Sequence, residues 1–188
     1  LLALRVYDGT EDEAAWIARA AAGDRAATDW LVERWTPPIW RFCLRMLQNE
    51  ADAHDATQET LLKALRHLAS YDPQRSWTTW MFGIARNTCI DEHRRRGRRP
   101  TDPWSDPADP DASPANDLAA AEQTRLLDAA LQDLPPMYRE ILVLYHFEHL
   151  KYHEIAEALD LPLGTVMNRI FRARHKLRAA FETRGGEL

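Results

Sequence analysis

The sequence predicts an all-α protein: two small helical domains joined by a flexible acidic linker, the second domain a helix-turn-helix. Three observations carry that reading. Apolar residues recur at helical spacing, and no run alternates with the period of two that a strand requires. An acidic, proline-rich stretch at 100–116 separates residues 1–99 from residues 117–188. Finally, Tyr152 to Lys176 reads as two short helices around a tight turn.

The bulk composition narrows the class. The chain has 188 residues, 45% hydrophobic and 28% charged, ordinary for globular domains with modest cores. No apolar run reaches spanning length and no signal-peptide pattern opens the chain, so a cytoplasmic protein without a membrane partner is expected. Cys43 and Cys89 lie far apart in sequence without CxxC spacing and are expected to be buried, reduced thiols rather than a redox switch. The net charge of −5 hides a segregation. His93 to Arg99 is a basic block, and the last helix carries Arg169, Arg172, Arg174, Lys176 and Arg178. Between them, Thr101 to Glu122 holds six acidic residues and no lysine, and only at Arg125 does a cation return. Two basic surfaces on an acidic tether say more about partners than the sum does.

In chain order, Glu11 to Ala22 suits a short helix, with Gly23 as its stop and Asp24 as the next N-cap. Trp30, Leu31, Trp35, Ile39, Phe42, Cys43, Met46 and Leu47 recur at helical spacing as core, and Pro37-Pro38 is expected to break that run into two helices. Glu50 to Ser70 forms the next helix, burying Leu61, Ala64, Leu65 and Leu68. Its Asp52 and Asp55 fit the dipole of a first turn; Glu59 lies beyond it. Ser76 to Gly97 follows a turn-prone loop and places Trp77 and Trp80 ahead of the basic block. Aromatics beside cations can stack an unpaired base and hold its backbone, though each tryptophan equally suits a core. The linker cannot pack a core. Helices from about Asp117 to Leu131 and Tyr138 to Phe147 then wall the core under the C-terminal pair.

That pair is the most informative stretch. Ile155, Ala156 and Leu159 line the first helix, Asp160-Leu161-Pro162 form the turn with the proline as stop, and Gly164-Thr165 open the second helix. Val166, Ile170, Ala173 and Leu177 share one face; Thr165, Asn168, Arg169, Arg172, His175 and Lys176 share the other. Such a polar face suits a DNA major groove, its partner helix bracing it. The alternative is an ordinary amphipathic pair with a solvated basic face.

With these pieces assembled, the sequence resembles the extracytoplasmic-function (ECF) sigma factors, two-domain promoter-specificity subunits of bacterial RNA polymerase. Gly23-Asp24 and Asp52-Ala53-His54-Asp55-Ala56-Thr57-Gln58-Glu59 resemble the family's polymerase-docking helix. Trp77-Thr78-Thr79-Trp80, Ile84-Ala85-Arg86-Asn87, Asp91 and Arg94-Arg95 resemble its −10 segment. Leu134-Pro135 through Arg139, then Tyr152, Glu154-Ile155-Ala156, Pro162, Gly164-Thr165-Val166, Arg169 and Arg172-Ala173-Arg174 resemble its −35 domain. The resemblance implies that Asp52, Asp55, Gln58 and Glu59 meet core RNA polymerase, whose β′ clamp helices and β flap would receive the two domains. It implies that Tyr71, Trp77, Trp80 and Asn87 catch bases extruded from the −10 strand while Arg94 and Arg95 hold phosphates. It further implies a −35 reading set of Tyr152, Thr165, Asn168, Arg169, Phe171, Arg172, His175 and Lys176. Arginine suits guanine, asparagine suits adenine, and Phe171 suits a thymine methyl; Arg169 and Arg174 either brace the domain or bind phosphate. An anti-sigma partner is implied too. No cofactor, metal ligand set or catalytic residue is read from the chain.

Lys151 stands where the family commonly has a Ser or Thr cap, losing about 1 kcal/mol. Met167-Asn168 replaces a commoner basic-plus-serine pair, and His54 replaces a frequent acid. Thr57, beside the docking patch, is a candidate phosphorylation site. Two other readings stay open: a stand-alone helix-turn-helix repressor or activator, and a metal enzyme built on His146, Glu148, His149, His153 and Glu154. The second lacks HExxH spacing, and no nucleophile–base set or phosphate-cradling glycine loop appears.

Overall fold

The computed structural model describes residues 11–95 and 120–186. Among them every regular element is helical. The N-terminal half comprises α1 (Glu11–Ala21), α2 (Arg25–Leu47), α3 (Glu50–His67, extended by a 3-10 turn at Leu68–Ser70) and α4 (Trp77–Arg95). The C-terminal half comprises α5 (Ala120–Gln132), α6 (Pro136–Leu142, continued by a π turn at Val143–Phe147), α7 (Tyr152–Leu159) and α8 (Leu163–Thr183). The acidic linker and Arg96 to Arg99 lie outside the described residues.

The caps explain the starts. Gly23 takes a left-handed φ of +91°, and Asp24 accepts from the Ala27 N–H, opening α2. Asn49 does the same for α3 through the Asp52 N–H at 3.0 Å. The expected break at Pro37-Pro38 does not occur: α2 runs unbroken from Arg25 to Leu47 with both prolines inside it. Two ladder donors are lost there. The aromatic and apolar face of α2, with Leu31, Trp35, Ile39, Phe42 and Met46 all buried, holds the helix together across that gap. The turn before α8 spans Asp160 to Pro162, as expected, but the proline is not what stops α7. Asp160, in the left-handed region at φ 52°, ends α7, and Pro162 stands at the N-terminal boundary of α8. Lys151 offers no capping acceptor, but the Glu154 carboxylate receives its N–H at 2.7 Å, half of a capping box.

One buried core runs through both halves, from Ile17 in α1 to Ala173 in α8. α2 packs on α3, α4 and α1; α8 packs on α5, α6 and α7; α4 meets α7, and α2 meets α6. A β-carbon at Gly83 would lie 3.4 Å from the Ala158 carbonyl oxygen, so the small residue suits the α4–α7 approach. Cys43 and Cys89 are buried and reduced, as expected, yet they are neighbours, with Sγ atoms 3.7 Å apart between α2 and α4. The contact with Cys43, and then burial, push the Cys89 thiol well above its ordinary pKa, which disfavours the thiolate. Thr57 does not share the exposed side of α3 with its neighbours Asp55 and Gln58. It is buried and donates to the Ala53 carbonyl at 2.6 Å, out of reach of a kinase in the folded chain.

Candidate nucleic-acid interface

The best-defined surface is the outer side of α8. Its inner side buries Val166, Ile170, Ala173 and Phe181, with Thr165, Arg169 and Leu177 half-buried beside them. Asn168, Phe171, Arg172, His175 and Lys176 are all exposed. The Phe171 and His175 rings meet edge to face at 4.5 Å, and the Lys176 ammonium lies 5.6 Å from the Tyr138 ring. Asn168 and Arg172 make no side-chain hydrogen bond or ion pair among the described residues, so their donors are available. Tyr152 is half-buried against Tyr145 at 5.2 Å, and Thr165 is half-buried at the helix start.

Arg169 stands apart from this set. It is half-buried and points back towards Glu140, 4.0 Å away. Glu140 is fully buried, and the Arg86 guanidinium of α4 donates to it at 3.1 Å. One carboxylate is therefore shared by a cation from each half. Burial pushes the Glu140 carboxyl up, and Arg86 only partly offsets this. Arg174, by comparison, lies over the Tyr145 ring at 5.1 Å.

Arg139 ties the halves at a second point. Its buried guanidinium donates to the carbonyls of Leu131, Gln132 and Leu134 and, at 3.1 Å, to that of Met46. Those oxygens lie at or just beyond the C-terminal ends of α5 and α2, where helix carbonyls lack partners and favour a cation. Burial pulls the guanidinium down to about 10, so it stays charged at neutral pH. Neither Arg86–Glu140 nor the two-helix cap at Arg139 was read from the sequence. Its signal was a charged pair, Arg139-Glu140, set directly against the apolar run Ile141 to Leu144.

At the α3–α4 corner the aromatics are packed on one another. Tyr71 meets Trp77 at 4.9 Å and Trp80 at 5.1 Å, and the two tryptophans lie 4.9 Å apart. Trp77 is 7% exposed and belongs to the core, whereas Tyr71 and Trp80 are half-buried at its edge. Burial raises the Tyr71 hydroxyl to about 12. The Trp77 indole N–H and the Thr79 hydroxyl are buried without a protein partner. Farther along α4, Asn87 and Arg94 are exposed, and Arg95 is engaged by Glu92 at 2.8 Å.

The acidic set on α3 divides. Asp55 and Gln58 are exposed and Glu59 is half-exposed, but Asp52 is only 3% exposed and lies on the inner side of the helix. Asp55 has no ion-pair partner among the described residues; Glu59 has two long ones, Lys63 at 4.0 Å and Arg66 at 3.9 Å. Among the described residues no cluster of histidine, cysteine or acidic side chains could hold a metal ion, and no helix is long and apolar enough to cross a membrane.

Two family models match the chain. Residues 31–99 fit Sigma-70 region 2, and residues 124–177 fit Sigma-70, region 4. The RNA polymerase sigma-H factor of Pseudomonas aeruginosa is 33% identical over 185 residues, with 92% of this chain and 95% of that protein covered. The chain belongs to the ECF sigma factors. ECF sigma factor SigW of Bacillus subtilis is 30% identical, covering 86% of this chain and 92% of that protein. SigE of Mycolicibacterium smegmatis is 38% identical over 84% of this chain, which spans 64% of that protein's length. Among solved structures, CnrH in complex with the cytosolic domain of CnrY superposes with a TM-score of 0.71 at 27% identity, covering 92% of this chain and 99% of that one. The sigma factor RpoE of Bartonella quintana, in complex with the anti-sigma factor NepR, gives 0.66 at 25% identity, over 81% and 93%. This sigma factor acts in transcription initiation.

Proposed function

We propose that this sigma factor divides its work between residues 1–99, which dock on core RNA polymerase and capture the −10 element, and residues 117–188, which read the −35 element, with 100–116 as tether. Asp55, Gln58 and Glu59 form the docking face towards the β′ clamp helices, and the β flap receives the C-terminal half. Asp52 supports that face from inside α3. Tyr71 and Trp80 edge the surface that receives a flipped −10 base, and Trp77 backs them from the core. Asn87, Arg94 and Arg95 follow the strand. On α8, Asn168, Phe171 and Arg172 read bases, His175 and Lys176 approach phosphate, Tyr152 and Thr165 position the helix, and Arg169 braces it through Glu140. The protein works in the cytoplasm, performs no catalytic step of its own and binds no cofactor. An anti-sigma factor, the kind of partner named with the RpoE structure, holds it in check.

The observation that carries this reading is that α8 packs Val166, Ile170 and Ala173 into the core and leaves Asn168 and Arg172 exposed and unengaged. The two promoter elements are about 25 base pairs apart, roughly 85 Å at the rise of B-DNA. A compact chain of this length has a radius of gyration of only about 16 Å. Both elements can be engaged together only if the halves separate, which breaks Arg86–Glu140 and the Arg139–Met46 bond. Footprinting with and without core polymerase tests the assignment. Protection of both elements only in the presence of core is expected; footprints by the protein alone, without core binding, would favour an independent repressor.

A further inference from the structure

α8 exposes three large apolar side chains as well as its polar ones. Leu163 is 47% exposed, Met167 53% and Phe171 64%. Their spacing of four places them in one stripe along the helix. Leaving such a stripe in water is unfavourable, and the α8 core does not need it, because Val166, Ile170 and Ala173 already face inward. The stripe is bordered by Asn168 and Arg172 and followed by Arg174, His175, Lys176 and Arg178; the first acidic residue of the helix is Glu182.

This charge selects the occupant. An apolar helix from another protein would cover the stripe but leave the surrounding cations facing a neutral body. A DNA major groove offers phosphates to the cations and, on the floor, one apolar feature: the thymine C5-methyl. The lengths agree. Eight residues of helix rise about 12 Å, and base pairs are spaced about 3.4 Å, so the stripe covers three to four steps. Resting on the assignment of α8 to the −35 element, we propose that Leu163, Met167 and Phe171 form a thymine-methyl reader. Met167 sets the specificity of one base pair by apolar contact rather than by a charged or hydrogen-bonding side chain. The −35 element therefore presents at least two thymine methyls within four base pairs, on either strand, beside the bases read by Asn168 and Arg172.

The test uses holoenzyme reconstituted from core polymerase and the full chain, on a promoter selected by transcription from fragmented genomic DNA. Each thymine of the −35 region is replaced singly by 2′-deoxyuridine, which deletes the methyl and keeps every hydrogen-bonding group. At two or more positions promoter affinity should fall about fourfold, the factor for one methyl-sized contact. Met167→Ala should abolish the uridine effect at one of them and Phe171→Ala at another, while both proteins keep the wild-type Tm because the side chains are exposed. A −35 region without thymines, or affinity unchanged at every uridine on a promoter that still initiates specifically, overturns the reader and leaves the sigma role intact. Unchanged DNA affinity in Met167→Ala with lost affinity for an anti-sigma factor would give the stripe to that partner instead. Absence of promoter-specific initiation by the wild-type holoenzyme would overturn the −35 assignment and the reader with it.

Discussion

The aromatic corner of α4 and the outer side of α8 are both proposed to touch bases, yet they are built in opposite ways. Trp77 is buried between Tyr71, Trp80 and the α2 residue Trp35, so most of its surface belongs to the fold. Phe171, Asn168 and Arg172 stand in solvent, so little of their surface does. A base reader embedded in a core must be bound at a cost to packing; one on a helix exterior is ready before the ligand arrives. The difference fits two tasks: holding a base already out of its stack, and sliding into a groove that stays paired.

Substitution separates the two designs. Trp77→Ala should lower global stability by about 3–5 kcal/mol in urea titration, as removal of a core aromatic does. Near-wild-type stability with lost promoter opening would instead make Trp77 an open platform like Phe171. Arg86→Ala leaves the buried Glu140 carboxylate with only the distant Arg169, and should cost about 3 kcal/mol by the same assay. Arg172→Ala reverses the pattern: stability should stay within about 0.5 kcal/mol of wild type, while −35 affinity falls by about 1–3 kcal/mol. The smallest effect concerns pH. Burial raises the Glu140 carboxyl above its ordinary 4.5, so over the window between that value and its folded one the native state keeps a proton that the unfolded state releases. Stability therefore falls as pH rises through the window, and Glu140→Gln should flatten that slope in urea titrations across pH.

Much of this was legible in the chain. The period of Val166, Ile170 and Ala173 located the sealed side of α8, and Asp24 with Gly23 located the start of α2. Helical period fixes which residues share a side, but it does not say which side faces a neighbour contributed from elsewhere in the chain. Asp52 and Asp55 thus looked alike, although α2 and α4 cover the inner side of α3 and leave only the outer side wet. Pro37-Pro38 misled for a related reason: local propensity argues for a break, and the tertiary burial of Trp35, Ile39 and Phe42 outweighs it. The proximity of Cys43 to Cys89, and of Arg86 to Glu140, arises from long-range packing that spacing along one chain does not encode.

The central claim is that an acidic side of α3 recruits polymerase while α8 selects the promoter. Transcription from fragmented genomic DNA by purified bacterial core polymerase, with wild-type chain, Asp55→Arg or Glu59→Arg, tests it most directly. Discrete transcripts should require the wild-type chain and vanish with either reversal, both variants remaining folded and the α8 contacts to DNA unaltered. Transcripts undiminished by both reversals would contradict it, because the exposed carboxylates of α3 would then have no part in recruiting the enzyme.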